Sequence, residues 1–277
     1  MNKSENRIAF LFIIPSLIGM ALFFIMPFIA SLGYATSDAN GVYVGFANFA
    51  ALFSNDSFQL AAMNTIKFML IAIPLNIIIP LWFACFLFNN SKNGWLKTIF
   101  MSPLMIPSAG VAFFFQSLFM SNGLFGQILG ENTDWLQTEY SFHIAVAVFI
   151  WKTMGFNLVL ALSGLANIPK AYYEWAAIEG LGRKRMFFKI TLVYFLPTLF
   201  IMVVMSFINS FKIFRELYML AGSYPNDKIY MLQHYMNNQF TRLNYQNLTT
   251  AAFVIALIIT VFMIVFFVIN QKVETGE

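Results

Sequence analysis

The chain has 277 residues, of which 60% are hydrophobic and 10% are charged, and its formal net charge is +4. Soluble globular proteins carry about 25% charged residues, so this composition excludes an ordinary soluble domain and predicts a chain surrounded by lipid. The basic residues are spread over separate short segments without a basic stripe, which argues against nucleic-acid binding. The single cysteine, Cys85, excludes an internal disulfide framework.

Six stretches are long and apolar enough to cross a bilayer as helices of about 20 residues. The first begins near a basic N-terminus, but it is too long for a signal peptide and lacks a cleavage pattern, so we interpret it as a retained span. The predicted fold is an all-α membrane protein with about six transmembrane helices, forming a single domain over residues 1–277. The predicted spans are residues 8–34, 63–88, 99–120, 142–165, 196–215 and 249–270.

The distribution of lysine and arginine predicts the orientation of these spans, because short cytoplasmic loops carry an excess of both. With the N-terminus inside, ten basic residues fall in cytoplasmic segments and two, Lys228 and Arg242, fall in an outer loop. Six crossings then place both termini in the cytoplasm. The ten are Lys3, Arg7, Lys92, Lys97, Lys170, Arg183, Lys184, Arg185, Lys189 and Lys272.

Proline is frequent in the apolar stretches. A proline inside a helix removes a backbone donor and tends to kink the helix, and a kink in lipid needs packed neighbours that satisfy the freed carbonyls. We therefore expect a bundle of bent helices around a path. The prolines concerned are Pro15, Pro27, Pro74, Pro80, Pro103, Pro107 and Pro197.

The longest predicted cytoplasmic loop, residues 166–195, is called the interspan segment below. It reads as two short helices around a turn, with Pro169 in the first turn of the first helix and Gly180 and Gly182 ending that helix through positive φ. Apolar side chains alternate with acidic ones along the first helix, which suits docking into a groove of another protein. The alternative is a basic hairpin that lies against lipid headgroups.

The interspan segment resembles the EAA loop of bacterial ATP-binding-cassette importers in its sugar-permease form. That family has Y-E-A-A-x-I-D-G-A-G followed by I-T-L-P and a further proline, and this chain has Y-E-W-A-A-I-E-G-L-G from Tyr173, then I-T-L-V and Pro197. Trp175 replaces the first alanine and Val193 the first proline. Similar motifs (F-L-F-I-I-P-S, V-G-F-A-N-F and F-K-I-F-R-E-L-Y) extend the resemblance to the maltose-type permease family over nearly the whole chain.

This resemblance implies a type I importer in the bacterial cytoplasmic membrane. It would comprise a second permease, two cytoplasmic ATPases, an extracytoplasmic solute-binding protein and a carbohydrate substrate. ATP and magnesium would bind the ATPases, since this sequence has no phosphate-binding G-x-x-x-x-G-K-[ST] loop, and no cofactor is expected in this chain. The residues that would dock the ATPase are Glu174, Trp175, Ala176, Ala177, Glu179, Gly180 and Gly182.

Polar residues at membrane depth are candidates for a solute path, because each is costly in lipid. Four of them form one stripe on the fifth span, which would line the path or, alternatively, pack against a second permease with Lys212 paired to Glu216. Trp151 near Lys152 suits a sugar, although helix packing also explains that tryptophan. The candidate path residues are Trp151, Lys152, Asn157, Ser206, Asn209, Lys212 and Glu216.

Other functions are less well supported by the sequence. His143 and His234 have no carboxylate or cysteine neighbours at ligand spacing, so no metal site is predicted. A stand-alone secondary carrier would be expected to show inverted repeats and paired carboxylates within spans. A membrane enzyme would need a cluster of catalytic side chains near one surface. An importer of polyamine, phosphate or molybdate remains the nearest alternative within the family.

Overall fold

The apolar stretches form long helices in the computed structural model, which describes residues 3–89 and 94–275, and side chains within residues 12–88 and 94–272. Lys92, assigned above to the cytoplasm, lies outside the described residues. In the described ranges, strand pairing is limited to an isolated bridge between Ser37 and Tyr43. The α-helices are α1 Lys3–Met20, α2 Met26–Ala35, α3 Ala47–Phe53, α4 Asp56–Asn89, α5 Gly94–Met105, α6 Ser108–Phe119, α7 Leu124–Leu129, α8 Ser141–Ala166, α9 Lys170–Ile178, α10 Arg183–Met186, α11 Leu192–Lys212, α12 Phe214–Ala221, α13 Leu232–Thr241 and α14 Tyr245–Thr275.

Five of the predicted spans are confirmed as continuous helical stretches long and apolar enough to cross a membrane. Two π-helical turns, Ala21–Ile25 and Phe187–Thr191, lie within these stretches. The stretch that contains the fifth predicted span begins 13 residues before the predicted start at residue 196 and joins α10, α11 and α12 into one run. The stretches are Phe12–Ala35, Asp56–Phe88, Ser141–Ala166, Arg183–Ala221 and Tyr245–Lys272.

The predicted third span, residues 99–120, is not one straight helix. α5 ends at Met105, α6 begins at Ser108, and the two are bent by 102°. The break coincides with Pro107, whose backbone is extended at φ −60° and ψ 152°. Proline has no amide hydrogen and disfavours helical geometry in the residue before it, here Ile106, so the chain leaves the helix at this point. Pro103 lies inside α5, which continues through it.

The chain divides into two compact units. One comprises Met1–Gln59 and Tyr235–Phe262. In it, the rings of Phe28 in α2 and Phe253 in α14 lie 4.7 Å apart. The amide of Asn48 donates to two carbonyls at the end of α2, at 3.0 and 2.8 Å. The most apolar part of the first stretch is not buried within the chain, as expected for a helix that faces lipid or another subunit.

The other unit comprises Leu60–His234 and Met263–Glu277. Its helices α5 and α11 pack on α8, and α6 packs on α12. Two apolar clusters fill the spaces between these helices, and both contain side chains of α8. The first includes Phe68, Val111, Phe115, Phe149 and Leu217. The second includes Leu87, Leu158, Ala161, Phe195 and Met202.

Two glycines of α8 allow its neighbours to approach closely. A Cβ atom at Gly155 would lie 2.6 Å from the carbonyl oxygen of Phe100 and 2.9 Å from the Cα atom of Met101, both in the backbone of α5. At Gly164 a Cβ atom would meet the side chain of Thr198 in α11 at 2.5 Å. Small residues serve this purpose in membrane bundles, where tight packing replaces the hydrophobic effect.

We therefore expect Gly155→Ala to lower the thermal stability of the detergent-solubilised protein, because α5 must move away from α8. Overpacking of this kind costs about 1–3 kcal/mol, which exceeds the gain in helix propensity of about 1 kcal/mol from replacing glycine. The control is Gly19→Ala in α1, where no neighbouring atom lies within 4 Å. The two variants should therefore shift the unfolding temperature in opposite directions. Equal stability of both would contradict the close contact.

The segment before α13 is attached to the start of α4 by buried polar groups. The amide of Asn64 donates to the carbonyl of Tyr230 at 2.9 Å, and the hydroxyl of Thr65 accepts from the Leu232 amide at 3.0 Å. His234 follows within α13, where its Nδ1 accepts from the Met231 amide at 3.3 Å while its Nε2 is buried without a partner. Burial lowers the pKa of His234 to about 4.

This histidine predicts a pH dependence of stability. Its pKa is about 6.5 when the chain is unfolded and about 4 when folded. Between these values the unfolded state binds more protons, so stability falls as the pH drops from about 6.5 towards 4. Measured unfolding temperatures should fall less steeply with acidification in His234→Gln. His143→Gln, at an exposed position, should keep the slope of the unsubstituted protein. An unchanged slope in His234→Gln would refute the assignment.

Candidate functional site

A cavity of about 690 Å³ opens beside the break between α5 and α6 and is called the helix-break cavity here. It holds four of the seven predicted path residues, and α8, α11 and α12 complete its wall. Its mixture of apolar side chains with a few polar groups is typical of small-molecule sites. The lining residues are Leu104, Met105, Ile106, Pro107, Ser108, Lys152, Thr153, Phe156, Met205, Asn209, Lys212, Ile213, Arg215 and Glu216.

Lys152 forms hydrogen bonds with the backbone at the break between α5 and α6. Its ammonium donates to the backbone carbonyls of Pro103, at 3.3 Å, and of Ile106. The Pro103 carbonyl, in the last turn of α5, also accepts from the Ile106 amide at 3.3 Å, whereas the Ile106 carbonyl lies in the break, beyond the last residue of α5. A cation is also favoured at the negative end of a helix dipole. The lysine therefore satisfies its own ammonium and the Ile106 carbonyl with one contact.

Glu216 lies on the opposite side of the break. It is buried in the first turn of α12, and its Oε1 accepts a hydrogen bond of 2.7 Å from the hydroxyl of Ser108, the first residue of α6. Within the described residues, Lys212 and Glu216 form no ion pair with each other. The pairing that the sequence spacing allowed is therefore not formed, because the carboxylate is directed towards α6 instead.

Asn209 and Lys212 occupy the α11 part of the wall. The side chain of Asn209 is partly buried, and that of Lys212, at the last position of α11, is exposed. Both line the helix-break cavity, and their predicted role in a solute path stays a prediction. An amide offers donors and an acceptor, so Asn209 has the chemistry to bind a hydroxylated solute.

Ser206 and Asn157, also predicted to line the path, lie in a buried polar network instead. The Asn157 amide donates to the hydroxyl of Ser206 at 3.0 Å and to the backbone carbonyl of Asn76 at 2.7 Å. The Asn76 amide donates to the same serine at 3.1 Å. Thr153 completes the network by donating to Asn76 Oδ1 at 2.8 Å. The network joins α4, α8 and α11, and the described cavity wall includes neither Ser206 nor Asn157.

Trp151 also lies away from the described cavity wall. Its ring stacks on Phe114, with centroids 5.5 Å apart and planes at 18°, and meets the edge of Phe115 at 5.6 Å. These contacts attach α8 to α6. The structure thus supplies the packing role that the sequence left as an alternative for this tryptophan.

Several residues of the wall were not proposed from the sequence. Ser108 and Arg215 are the informative ones, since each brings a polar group to the cavity. Their signals were present: Ser108 follows the break at Pro107, and Arg215 is a cation at the end of a span. Asn76 was missed as well, although an asparagine in the middle of an apolar stretch indicates an interhelical hydrogen bond.

The interspan segment forms the second candidate site. In α9 the side chains of Glu174, Trp175 and Ile178 are exposed, with 61% of Trp175 and 85% of Ile178 accessible. Ala177 and Glu179 are also exposed, whereas Ala176 is fully buried in the second apolar cluster. The buried Ala176 thus helps to hold α9, and within the described residues large apolar and acidic side chains of the same helix stay exposed.

The turn after α9 has the geometry of a Schellman motif. Gly180 has a φ of +71°, its amide donates to the Ala177 carbonyl at 3.1 Å, and the Leu181 amide donates to the Ala176 carbonyl at 2.9 Å. The predicted role of Gly180 is confirmed, since glycine adopts this left-handed conformation without a Cβ penalty. Gly182 differs from the prediction: its φ is −67°, and it is the N-cap residue of α10.

Aromatic residues attach α9 to the helix that follows it. The hydroxyls of Tyr173 and Thr191 lie 3.0 Å apart, and the rings of Tyr172 and Tyr194 stack with centroids 4.5 Å apart. The second helix of the interspan segment is not a separate short helix, because α10 continues through a π-helical turn into α11. The interspan segment is thus fastened directly to the helix that carries Asn209 and Lys212.

Metal binding has no support in the described ranges, where no group of three or more histidine, cysteine, aspartate or glutamate side chains is placed to hold an ion. His143, at the start of α8, and His234, in α13, lie on separate helices.

Two curated relatives resemble most of the chain. It is 29% identical over 271 residues to the arabinooligosaccharides transport system permease protein AraP of Bacillus subtilis, covering 92% of this chain and 86% of the relative. It is also 29% identical to the trehalose/maltose transport system permease protein MalF of Thermococcus litoralis, covering 80% of this chain and 79% of the relative.

A solved structure shares the fold. A chain of a bacterial ABC transporter involved in the import of the acidic polysaccharide alginate superposes with a TM-score of 0.84 at 21% identity, covering 97% of this chain and 96% of that chain.

Residues 76–276 match the family described as binding-protein-dependent transport system inner membrane component. This match covers more than half of the sequence, and the chain therefore belongs to that family, as a multi-pass protein of the bacterial cytoplasmic membrane.

Proposed function

We propose that the chain is the permease subunit of an ATP-driven importer and forms, with a second permease, the translocation path for a sugar or oligosaccharide. The observation that carries this proposal is the helix-break cavity, in a chain whose family serves binding-protein-dependent transport. The relatives named for arabinooligosaccharides and for trehalose and maltose support a saccharide. The alternative substrates within the family are polyamine, phosphate and molybdate.

The proposed assembly divides the work between subunits. An external binding protein delivers the solute, two cytoplasmic ATPases bind ATP and magnesium, and this chain carries out no covalent chemistry and holds no cofactor. The excess of basic residues in the segments assigned to the cytoplasm supports placing both termini and the interspan segment on the ATPase side. The exposed Trp175 and Ile178 support docking there, since apolar side chains of this size are unfavourable in water.

The proposed mechanism uses the attachment of α9 to the helical stretch Arg183–Ala221. ATPase closure would displace α9, and the contacts of Tyr172 with Tyr194 and Tyr173 with Thr191 would carry that displacement into Arg183–Ala221. Because Asn209 and Lys212 lie on the same helix, the cavity wall would move with it. Access to the solute would then alternate between the two sides of the membrane.

The docking role predicts that Glu174→Lys abolishes uptake while the permease still reaches the membrane. Losing one partner of a buried charged contact costs about 2–5 kcal/mol, equivalent to a loss of affinity of roughly 30-fold or more. The measurement is co-purification of the ATPases with the permease. The matched control is Glu139→Lys, the same charge reversal at a carboxylate that is 86% exposed, which should retain the ATPases. Normal uptake by Glu174→Lys would overturn the docking role.

The path predicts different outcomes for two asparagines. Asn209→Ala should raise the substrate concentration that half-stimulates ATP hydrolysis by about 5- to 10-fold, because a hydrogen bond to the solute is lost. Asn157→Ala should lower thermal stability and leave that concentration unchanged, since Asn157 lies in the buried network. If the half-stimulating concentration is unchanged in Asn209→Ala, the path lies elsewhere.

A further inference from the structure

The wall of the helix-break cavity carries an excess of positive charge. Lys152, Lys212 and Arg215 are cationic and Glu216 is the acidic residue of the wall, so the formal sum is three minus one, or +2. Charges at membrane depth are rare, and they usually pair with one another, bind backbone carbonyls or face a solute path. The contacts of each group therefore indicate which charges have a structural partner and which do not.

Two of the four charges are already satisfied. Lys152 binds the carbonyls of Pro103 and Ile106, and Glu216 accepts from Ser108. Both belong to the framework of the helix break, because Lys152 binds α8 to the α5 side of the break and Glu216 binds α12 to the α6 side. Glu216 does not neutralise the remaining cations, since its carboxylate forms no ion pair with a basic side chain within the described residues.

Lys212 and Arg215 have no such partner. Both side chains are exposed at the cavity wall, and within the described ranges neither makes a side-chain hydrogen bond or ion pair. They lie three residues apart across the junction of α11 and α12, a spacing that places side chains on the same face of a helix. Like charges at this spacing repel each other, so the pair destabilises the empty site unless an anion lies beside it.

We propose that the solute of this permease is an anionic saccharide, whose carboxylate or sulfonate binds Arg215 and Lys212. This inference rests on the proposed function and names the substrate class of the same cavity. The planar guanidinium of Arg215 matches an oxyanion with two parallel hydrogen bonds, and the Lys212 ammonium adds a second positive charge. Asn209, three residues before Lys212 on the same wall, would bind the neutral hydroxyls of the same sugar.

The test uses the complete transporter, with both permeases, the ATPases and the binding protein, in nanodiscs of zwitterionic lipid. ATP hydrolysis is titrated with galacturonate and mannuronate trisaccharides and a sulfonated glucose as acidic probes, and with maltotriose and arabinotriose as neutral probes. Direct uptake of the same probes into vesicles is the second readout. We expect an acidic probe to stimulate hydrolysis and enter the vesicles, with half-stimulation at a concentration at least about tenfold below any neutral probe, the effect of one charge-assisted contact.

Charge variants locate the effect. Arg215→Gln and Lys212→Gln should each raise the half-stimulating concentration of the acidic probe by about tenfold, whereas Arg215→Lys should recover part of the loss. Lys228→Gln, which removes a cation that pairs with Glu139 away from the cavity, is the control and should change nothing. Unchanged titrations in the Arg215 and Lys212 variants would overturn the proposal and assign these cations to lipid headgroups or to the second permease.

The probes also separate this proposal from the proposed function. Stimulation by neutral saccharides alone would overturn the anionic class and leave a sugar importer in place. Stimulation by none of the five saccharides, in a complex whose basal ATP hydrolysis is intact, would overturn both. Stimulation by acidic probes that the glutamine variants weaken would support both.

Discussion

The absence of water in the bilayer core is the constraint on which this structure depends. A helix broken inside the membrane exposes carbonyls that lipid leaves unsatisfied, so a break survives only where protein groups take over those bonds. Here the break at Pro107 is closed by Lys152 from α8 and bordered by the contact between Ser108 and Glu216. A cation and a carboxylate that would each be costly alone in lipid thus bind the two sides of the break. The residues that make these two contacts, Lys152, Ser108 and Glu216, all line the cavity.

Around the helix break, α5 and α11 pack on α8. Backbone contact at Gly155 brings α5 against α8, and the network of Asn76, Asn157 and Ser206 joins α4 and α11 to the same helix. Neither contact relies on the hydrophobic effect, which offers little preference between a lipid tail and a leucine. Shape at the glycines and directional hydrogen bonds at the amides therefore determine which helices are neighbours. α8 is the common partner of these contacts, and Lys152 extends from it to the break.

The sequence predicted the existence of the spans because the apolar composition of each stretch is a local property. It did not predict their ends, since polar residues continue the helices beyond the apolar window, as at Asp56 and Arg183. Both Pro103 and Pro107 indicated a kink, and the difference between them depends on packing that no local pattern records. The interspan segment was predicted in more detail, since a helix stop at Gly180 is a short-range feature. The hydrogen-bond partners of Lys152 and Ser206 are residues distant in the chain, and the periodicity of a sequence does not identify such partners.

The 39-residue helical run Arg183–Ala221 has a mechanical consequence. With a rise of about 1.5 Å per residue, the distance along it from Arg183 to Lys212 is roughly 40 Å. A tilt of about 10° at the end attached to α9 would therefore displace the other end by roughly 7 Å, if the run moves as one rod. That displacement exceeds the width of a sugar ring, whereas the movement needed at the docking end is small. If ATPase docking moves α9 as proposed, the length of this run amplifies that movement at the helix-break cavity.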